Sequence, residues 1–137
     1  MRDKRFIEIE EFSPLTTSLA ETNPKSTTSK IKKFLYQKMT KKILKVEIIK
    51  LDDFIKHNKC PDFIKIDVEG FEEEVLKGLL YNIKKIKLIM IEFHFDEQYV
   101  NYSTKRLHNL LLENDFKHVK SIKFPILNWE DRFYLKN

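Results

Sequence analysis

The chain has 137 residues, of which 42% are hydrophobic and 34% charged, a balance typical of one soluble folded domain. The net charge of +5 comes mainly from 22 lysines, with only 4 arginines. Because arginine supplies the planar fork that suits phosphate and base recognition, this composition disfavours a dedicated nucleic-acid-binding protein. The sequence has no apolar run of the ~20 residues that a membrane helix needs and no secretory signal, and its single cysteine is Cys60. We therefore expect a cytoplasmic protein.

Glycine is unusually scarce, since only Gly70 and Gly78 are present. A glycine-rich nucleotide-binding loop needs two or three glycines clustered after a strand. The sequence therefore contains no such loop.

Residues 1–43 are predicted to form a strand, a loop and a basic helix. Arg5–Phe12 alternates like a half-exposed strand, whereas Ser13–Ser29 is rich in Ser, Thr, Pro and Asn and indicates an irregular loop. Ser29–Lys42 has apolar residues at positions 31, 34, 35 and 39, the spacing of a basic amphipathic helix. Packing on the domain is its expected role, and docking to a membrane or partner is the less favoured alternative.

Residues 44–137 are predicted to form the α/β core of the same single domain. Segments with the apolar pattern of strands are Leu44–Leu51, Phe63–Val68, Leu88–Phe95, Phe116–Phe124 and Trp129–Leu135. Helical patterns follow Leu51 through about Asn58, cover Phe71–Lys84, and run from Ser103 to about Asn114.

Several side chains have predicted structural roles in these helices. Asp52 or Asp53 is expected to cap the first helix, and Ser103 the last. The inward face of the middle helix is predicted to carry Val75, Leu76, Leu79, Leu80 and Ile83.

The alternation of strands and helices predicts an α/β fold with a partial Rossmann-like sheet. Its middle strands are expected to be parallel, with right-handed crossovers and helices on both faces. The near-continuous apolar runs of the strands favour burial on both faces. The last two strands are expected to form an antiparallel pair around a turn at Pro125–Asn128.

A cluster of polar side chains is predicted where two of these strands end. Asp67 and Glu69 lie at the carboxyl end of one strand, and Gly70 then gives the backbone room to turn into the helix. Glu92 and His94 have the same spacing at the end of the next strand. Ligands of open α/β sheets bind beyond the carboxyl ends of strands, so this is the candidate site.

Each of these residues also has a structural interpretation. Asp67 can cap the following helix, and an acidic residue such as Glu69 is ordinary just before a helix. Glu92 can pair with a lysine on a neighbouring strand. A lone histidine such as His94 is more often structural than catalytic.

Four segments resemble FkbM-type methyltransferases in order and spacing: KLDDFI at 50–55, PDFIKIDVEGFE at 61–72, VLKG at 75–78 and IEFH at 91–94. The Ser/Thr-rich stretch at Thr16–Leu19 matches as well, and the resemblance covers roughly Phe6 to Phe124. It implies a Rossmann-like fold that uses S-adenosylmethionine to methylate hydroxyls of sugars or other small metabolites. By position, it implies that Asp67 and Glu69 are the active-site acidic pair, with Asp67 also a candidate to contact the cofactor, and that Glu92 and His94 flank them.

The chemistry of methyl transfer is compatible with these residues. A carboxylate or imidazole can take the proton of the acceptor hydroxyl, and negative charge suits a cationic methyl donor. A divalent metal held by Asp67, Glu69, Glu92 and His94 ranks second, because the sequence fixes neither the number nor the geometry of ligands.

The resemblance is to the C-terminal half of that domain, since the cofactor loop and the ribose-binding acid have no counterpart in the sequence. Without that half, the edge of the Phe63–Val68 strand is exposed, and exposed edges favour pairing. The open expectations are a gene fragment, a homodimer or complementing chain, or cover by Arg5–Phe12. Two alternative functions remain: a non-catalytic remnant, and a protein that binds nucleic acid or anionic surfaces through Ser29–Lys42.

Overall fold

The computed structural model describes residues 5–11, 17–18, 23–26, 30, 42–95, 99–123 and 128–137. The described strands of the first sheet, in the order β2-β1-β3, are β1 (Arg5–Glu11), β2 (Thr17–Ser18) and β3 (Lys42–Ile48). Those of the second sheet, in the order β4-β5-β7-β6, are β4 (Phe63–Ile66), β5 (Leu88–His94), β6 (Phe116–Lys123) and β7 (Trp129–Lys136). Helices with described bounds are α1 (Leu51–Ile55), α2 (Glu72–Lys77) and α3 (Thr104–Glu113), and Ile83–Lys85 forms a 3-10 turn.

The second sheet is mixed rather than mainly parallel. Strands β4 and β5 are parallel, whereas the β5–β7 and β6–β7 pairs are antiparallel. The predicted closing antiparallel pair is therefore confirmed.

The strand predicted at Leu44–Leu51 is present as β3, but it is not part of the parallel pair. Strand β3 pairs antiparallel with β1 along its whole length, from Lys42 opposite Glu11 to Ile48 opposite Arg5. Val46 and Ile48 are 37% and 41% exposed. Strands with a half-exposed face suit antiparallel sheets, whereas parallel strands need cover on both faces.

One face of the four-stranded sheet carries the hydrophobic core. The strands contribute the alternating residues Ile66, Ile89, Ile91, Phe93 and Tyr134. The helices and their connections contribute Ile55, Leu76, Leu79, Ile83, Ile86, Leu107 and Leu111. Full burial of each large side chain contributes roughly 1.5–3 kcal/mol, so this layer is the main source of stability.

The opposite face of the sheet is only partly covered. Phe63 on β4 and Leu135 on β7 are 48% and 41% exposed. Because the cross-strand register puts both on the face opposite Ile89 and Ile91, the expected helices on both faces are not found in the described part of the chain.

The N-terminal predictions are confirmed in part. The strand predicted at Arg5–Phe12 is present as β1, but Thr17–Ser18 form a short strand inside the predicted loop. Lys42 belongs to β3, and the rest of the predicted Ser29–Lys42 helix lies outside the described residues except for Lys30, which is helical. The turn predicted at Pro125–Asn128 also lies outside them, apart from Asn128.

Strand β4 is an edge of the described sheet, with β5 as its neighbour on one side. Strand β1 pairs with β2 and β3. The expectation that Arg5–Phe12 covers the β4 edge is therefore wrong. The reason is geometric, because β1 already uses both of its edges.

The single helix predicted for Phe71–Lys84 is interrupted. Helix α2 ends at Lys77, and Gly78 occupies its C-terminal cap. Leu79 and Ile83 are buried as predicted, but Leu80 is 42% exposed because the chain leaves the helical path before it.

Asp52 explains this interruption. Its carboxylate accepts hydrogen bonds from the backbone N–H of Tyr81 and of Asn82, both at 2.9 Å, and from Asn82 Nδ2 at 3.0 Å. Its own N–H donates to the Gly78 carbonyl at 2.9 Å. These bonds hold residues 78–82 in turns. The prediction that Asp52 or Asp53 caps α1 is therefore wrong: its capping position is Lys50, and Asp53 pairs with Lys56 at 2.8 Å.

Helix α3 has the predicted boundaries. The Ser103 hydroxyl accepts a hydrogen bond from the N–H of Arg106 at 3.3 Å, and Asn114 is the C-terminal cap. Leu107 and Leu111 face the core. This helix therefore begins and ends for the reasons visible in its sequence.

We predict that Asp52→Ala destabilises the protein by about 2 kcal/mol, because it leaves the N–H groups of Tyr81 and Asn82 without their acceptor. Chemical denaturation followed by circular dichroism measures this change. The matched control is Asp53→Ala, since Asp53 pairs with Lys56 at the surface. Equal midpoints for the two variants would contradict the role assigned to Asp52.

Candidate functional site

The register of β4 and β5 brings Asp67 and Glu92 together. Ile66 lies opposite Ile91, so the next residue of each strand falls on the other face, side by side. Glu92 also lies opposite Asp131 on β7. The result is a row of three carboxyl groups across the carboxyl ends of the parallel strands.

Asp67 is the accessible member of this row. Its side chain is 39% exposed, and Lys65 Nζ donates to its Oδ2 at 2.8 Å. This hydrogen bond is the main reason why the pKa of Asp67 is lowered. Asp67 is therefore a carboxylate that solvent and ligands can reach.

Glu92 has the opposite character. It is only 7% exposed, and burial is the first cause that raises its pKa to about 8. A hydrogen bond with Asp67 and repulsion from Asp67 and Glu69 act in the same direction. Glu92 is therefore mainly a neutral carboxyl at pH 7, beside a charged one. Neighbouring carboxyls whose pKa values are pushed apart are typical of catalytic acid–base pairs.

Among the described residues, no ion pair joins Glu92 to a lysine. Its carboxyl group interacts with those of Asp67 and Asp131, and its Oε2 lies 3.7 Å from His94 Nε2. Lys65 bonds Asp67 instead.

The turn after β4 has an unusual backbone. Glu69 and Gly70 have φ angles of 51° and 98°, in the left-handed region that glycine adopts more readily than other residues. The Glu69 carboxylate accepts a short hydrogen bond from the Tyr99 hydroxyl. Tyr99 is 3% exposed and lies in the segment after β5. This hydrogen bond therefore connects the turn with that segment. The N-terminal cap position of α2 is Phe71, so Asp67 does not cap this helix.

Glu72 is the residue that sequence reasoning missed. It is fully buried, and its Oε1 accepts the N–H of Val68 at 3.3 Å and of Gly70 at 3.1 Å. Burial raises the pKa of its carboxyl. One signal could have found it: the buried stripe Leu76, Leu79 and Ile83 extends back by one helical turn to position 72.

His94 lies behind the carboxylates rather than among accessible groups. It is 3% exposed, and its Nε2 is 3.9 Å from Glu72 Oε1 as well as 3.7 Å from Glu92 Oε2. Tyr99 and Tyr102 meet its ring edge-on, with centroids 4.9 and 5.6 Å away. This enclosed position favours a supporting role over direct contact with a ligand.

A cleft adjoins the turn at Gly70. It has a volume of about 240 Å³ and is lined by Gly70, Phe71, Glu73, Glu74, Val100, Asn101 and Tyr102. Tyr102 links it to the cluster, since its hydroxyl accepts the N–H of His94 at 3.3 Å and lies 3.4 Å from the Glu92 carbonyl. The cleft therefore shares Gly70 and Tyr102 with the surroundings of the carboxyl row.

The donor set fits a cationic group better than a metal ion. No group of three or more His, Cys, Asp or Glu side chains within the described ranges has an arrangement that could hold a metal. Asp67 and Asp131 supply carboxyl groups to one end of the sheet, and negative potential suits a sulfonium or ammonium group. Separately, none of the helices in the described segments has the length and hydrophobicity needed to cross a membrane.

We predict that Glu92→Gln removes a pH-dependent loss of stability. A carboxyl whose pKa is higher in the folded than in the unfolded chain lowers the free energy of unfolding as pH rises between the two values, here 4.5 and about 8. The melting temperature of the variant relative to the wild type should therefore increase across this window. Glu113→Gln, on the exposed end of α3, is the control. If the plots of melting temperature against pH stay parallel for Glu92→Gln and the wild type, the raised pKa of Glu92 is refuted.

Comparison with known proteins identifies the family. The sequence matches the methyltransferase FkbM domain over residues 7–118. No curated protein and no solved structure matches the chain. Because the family match covers most of the chain, this protein belongs to the FkbM methyltransferase domain family.

Proposed function

We propose that this chain forms the acceptor side of an S-adenosylmethionine-dependent O-methyltransferase, with a hydroxyl of a sugar or other small metabolite as acceptor. Membership of the FkbM family supports methyl transfer. The observation that carries the proposal further is the accessible, charged Asp67 beside the neutral Glu92 at the carboxyl end of β4. A parallel strand pair with its ligand site at this end is also what a partial Rossmann-like sheet requires.

When bound, S-adenosylmethionine supplies an electrophilic methyl group on a sulfonium cation. In this proposal, the negative charge of Asp67 attracts this cation. The ion pair with Lys65 orients the exposed Asp67 carboxylate. The sequence has only two glycines, Gly70 and Gly78, so a glycine-rich turn for the rest of the cofactor is not among its 137 residues. The residues present therefore fit the sulfonium end of the cofactor.

Asp67 acts on the acceptor hydroxyl in this proposal. A hydroxyl oxygen gains positive charge as it attacks, and a carboxylate at hydrogen-bonding distance stabilises that charge and takes the proton. Its lowered pKa makes Asp67 a weak base at rest but keeps it charged near neutral pH. Glu92, held neutral by burial, donates a hydrogen bond to Asp67 and keeps the carboxylate in one orientation.

The cleft beside Gly70 is the proposed acceptor pocket. Phe71 and Tyr102 give it aromatic surface, and Glu73 gives it a carboxylate held by Arg106 at 3.1 Å and Lys77 at 2.8 Å. Small-molecule sites combine apolar walls with a few fixed polar groups in this way. About 240 Å³ is small for a drug-sized ligand and is adequate for part of a sugar.

A second function of a different class has one observation in its favour. Strand β4 carries the site and has an edge that no described strand covers. A partner-dependent half of a split methyltransferase, or a remnant that no longer binds the cofactor, would have such an edge.

We predict that Asp67→Asn lowers methyl transfer by roughly 10²- to 10⁴-fold, because it removes the carboxylate that accepts the proton. The assay measures transfer of labelled methyl from S-adenosylmethionine to a panel of hydroxylated sugars. Asp62→Asn is the matched control, since Asp62 precedes the same strand and pairs with Lys87 at the surface at 2.9 Å. Equal activity in the two variants would overturn the role of Asp67.

Calorimetry with S-adenosylmethionine separates the two functions. An enzyme that is complete in this chain releases heat of binding on its own. A partner-dependent half binds only after the complementing chain is added, and a remnant shows no heat in either case. Heat of binding with the chain alone, or with a complementing chain present, supports the methyltransferase proposal, and no heat in either case would overturn it.

A further inference from the structure

The turn that connects β4 to α2 carries the candidate carboxylates of Asp67 and Glu69, and its backbone conformation sets their directions. It consists of residues 67–70, and two consecutive residues, Glu69 and Gly70, have positive φ. A left-handed conformation at a residue other than glycine carries strain, typically about 1 kcal/mol or more, and persists only where surrounding contacts hold it. Contacts with surrounding residues must therefore hold this turn.

Glu72 makes such a contact from the first turn of α2. One oxygen, Oε1, accepts the N–H of Val68 at 3.3 Å and of Gly70 at 3.1 Å. These two amides flank Glu69, so a single acceptor fixes the backbone on both sides of the strained residue. The turn would otherwise present two partly buried donors without acceptors, which is unfavourable.

The surroundings of Glu72 are closed to ligands. Glu72 is fully buried, and its neighbours His94 and Tyr99 are each 3% exposed. Tyr102 closes the same cluster through ring contacts with both neighbours. Because solvent does not reach the Glu72 side chain, any effect that it has on a reaction at Asp67 is indirect.

We propose that Glu72 is a positioning residue, which sets Asp67 and Glu69 by accepting the N–H groups of Val68 and Gly70. Its hydrogen-bonding geometry, and not its charge, is the required property. This inference rests on the proposed function, since it assigns Glu72 a role in the same methyl-transfer site.

Two substitutions separate geometry from charge. Glu72→Gln keeps the side-chain length and an oxygen that can accept both N–H groups, but removes the charge. Glu72→Asp keeps the charge but withdraws the oxygen by one methylene. The matched control for shortening is Glu113→Asp, at the exposed end of α3 and outside the cleft.

Amide hydrogen exchange measures the contact without reference to activity. We expect exchange at Val68 and Gly70 to be unchanged in Glu72→Gln and about tenfold faster in Glu72→Asp, because the latter leaves these amides without their acceptor. The Glu113→Asp control should match the wild type. Faster exchange in Glu72→Gln than in Glu72→Asp, or no change in either, would overturn the proposal.

A double-mutant cycle tests whether Glu72 acts through Asp67. In the wild-type background, Glu72→Asp should lower kcat about tenfold with little change in KM. In the Asp67→Asn background, the same substitution should cause little additional loss of kcat. Additive losses, or a parallel rise in KM, would show that Glu72 is merely structural and would overturn the positioning role. Absence of transfer by the wild-type chain would instead overturn the proposed function, and the exchange comparison would then decide the Glu72 contact by itself.

Discussion

The parallel pairing of β4 with β5 is the constraint on which the site depends. Its register places Ile66 opposite Ile91 in the core, and therefore Asp67 beside Glu92 on the other face. A slip of one residue would turn Asp67 toward the core and leave Ile66 facing solvent, with loss of the burial free energy of that side chain. The hydrophobic pattern that stabilises the sheet thus also fixes which carboxyl groups meet.

Two tiers of polar residues follow from this register. Asp67 and Lys65 form an outer tier at the surface, whereas Glu72, His94 and Tyr99 form an inner tier that solvent barely reaches. Burying so many ionisable groups is unfavourable, and the raised pKa of Glu72 reflects that penalty. Shifted pKa values cluster at functional sites, which agrees with the role proposed for Asp67 in the outer tier.

The sequence predicted the parts of the fold that local signals determine. Helix α3 begins at the Ser103 cap and buries its leucine stripe, and β5 follows its apolar run. It could not predict the break after Lys77, because Asp52 makes the break from about thirty residues away in sequence. The predicted neighbours Asp67 and Glu92 lie side by side at the carboxyl ends of β4 and β5, and their role in a site stays a prediction. The burial of Glu72 was not predicted, since an acidic residue in the first turn of a helix is normally exposed and needs no further explanation.

The candidate site lies at the edge of the sheet, which is where an added strand could supply the glycine-rich turn that the sequence lacks. Ligands of α/β sheets bind beyond the carboxyl ends of adjacent parallel strands. Asp67 ends β4, and on the side away from β5 no described strand adjoins it. A strand added parallel to β4 would bring its own carboxyl end, and any turn that follows it, next to Asp67. Completion of the sheet and completion of the proposed cofactor site would then occur together, because both need the same backbone edge.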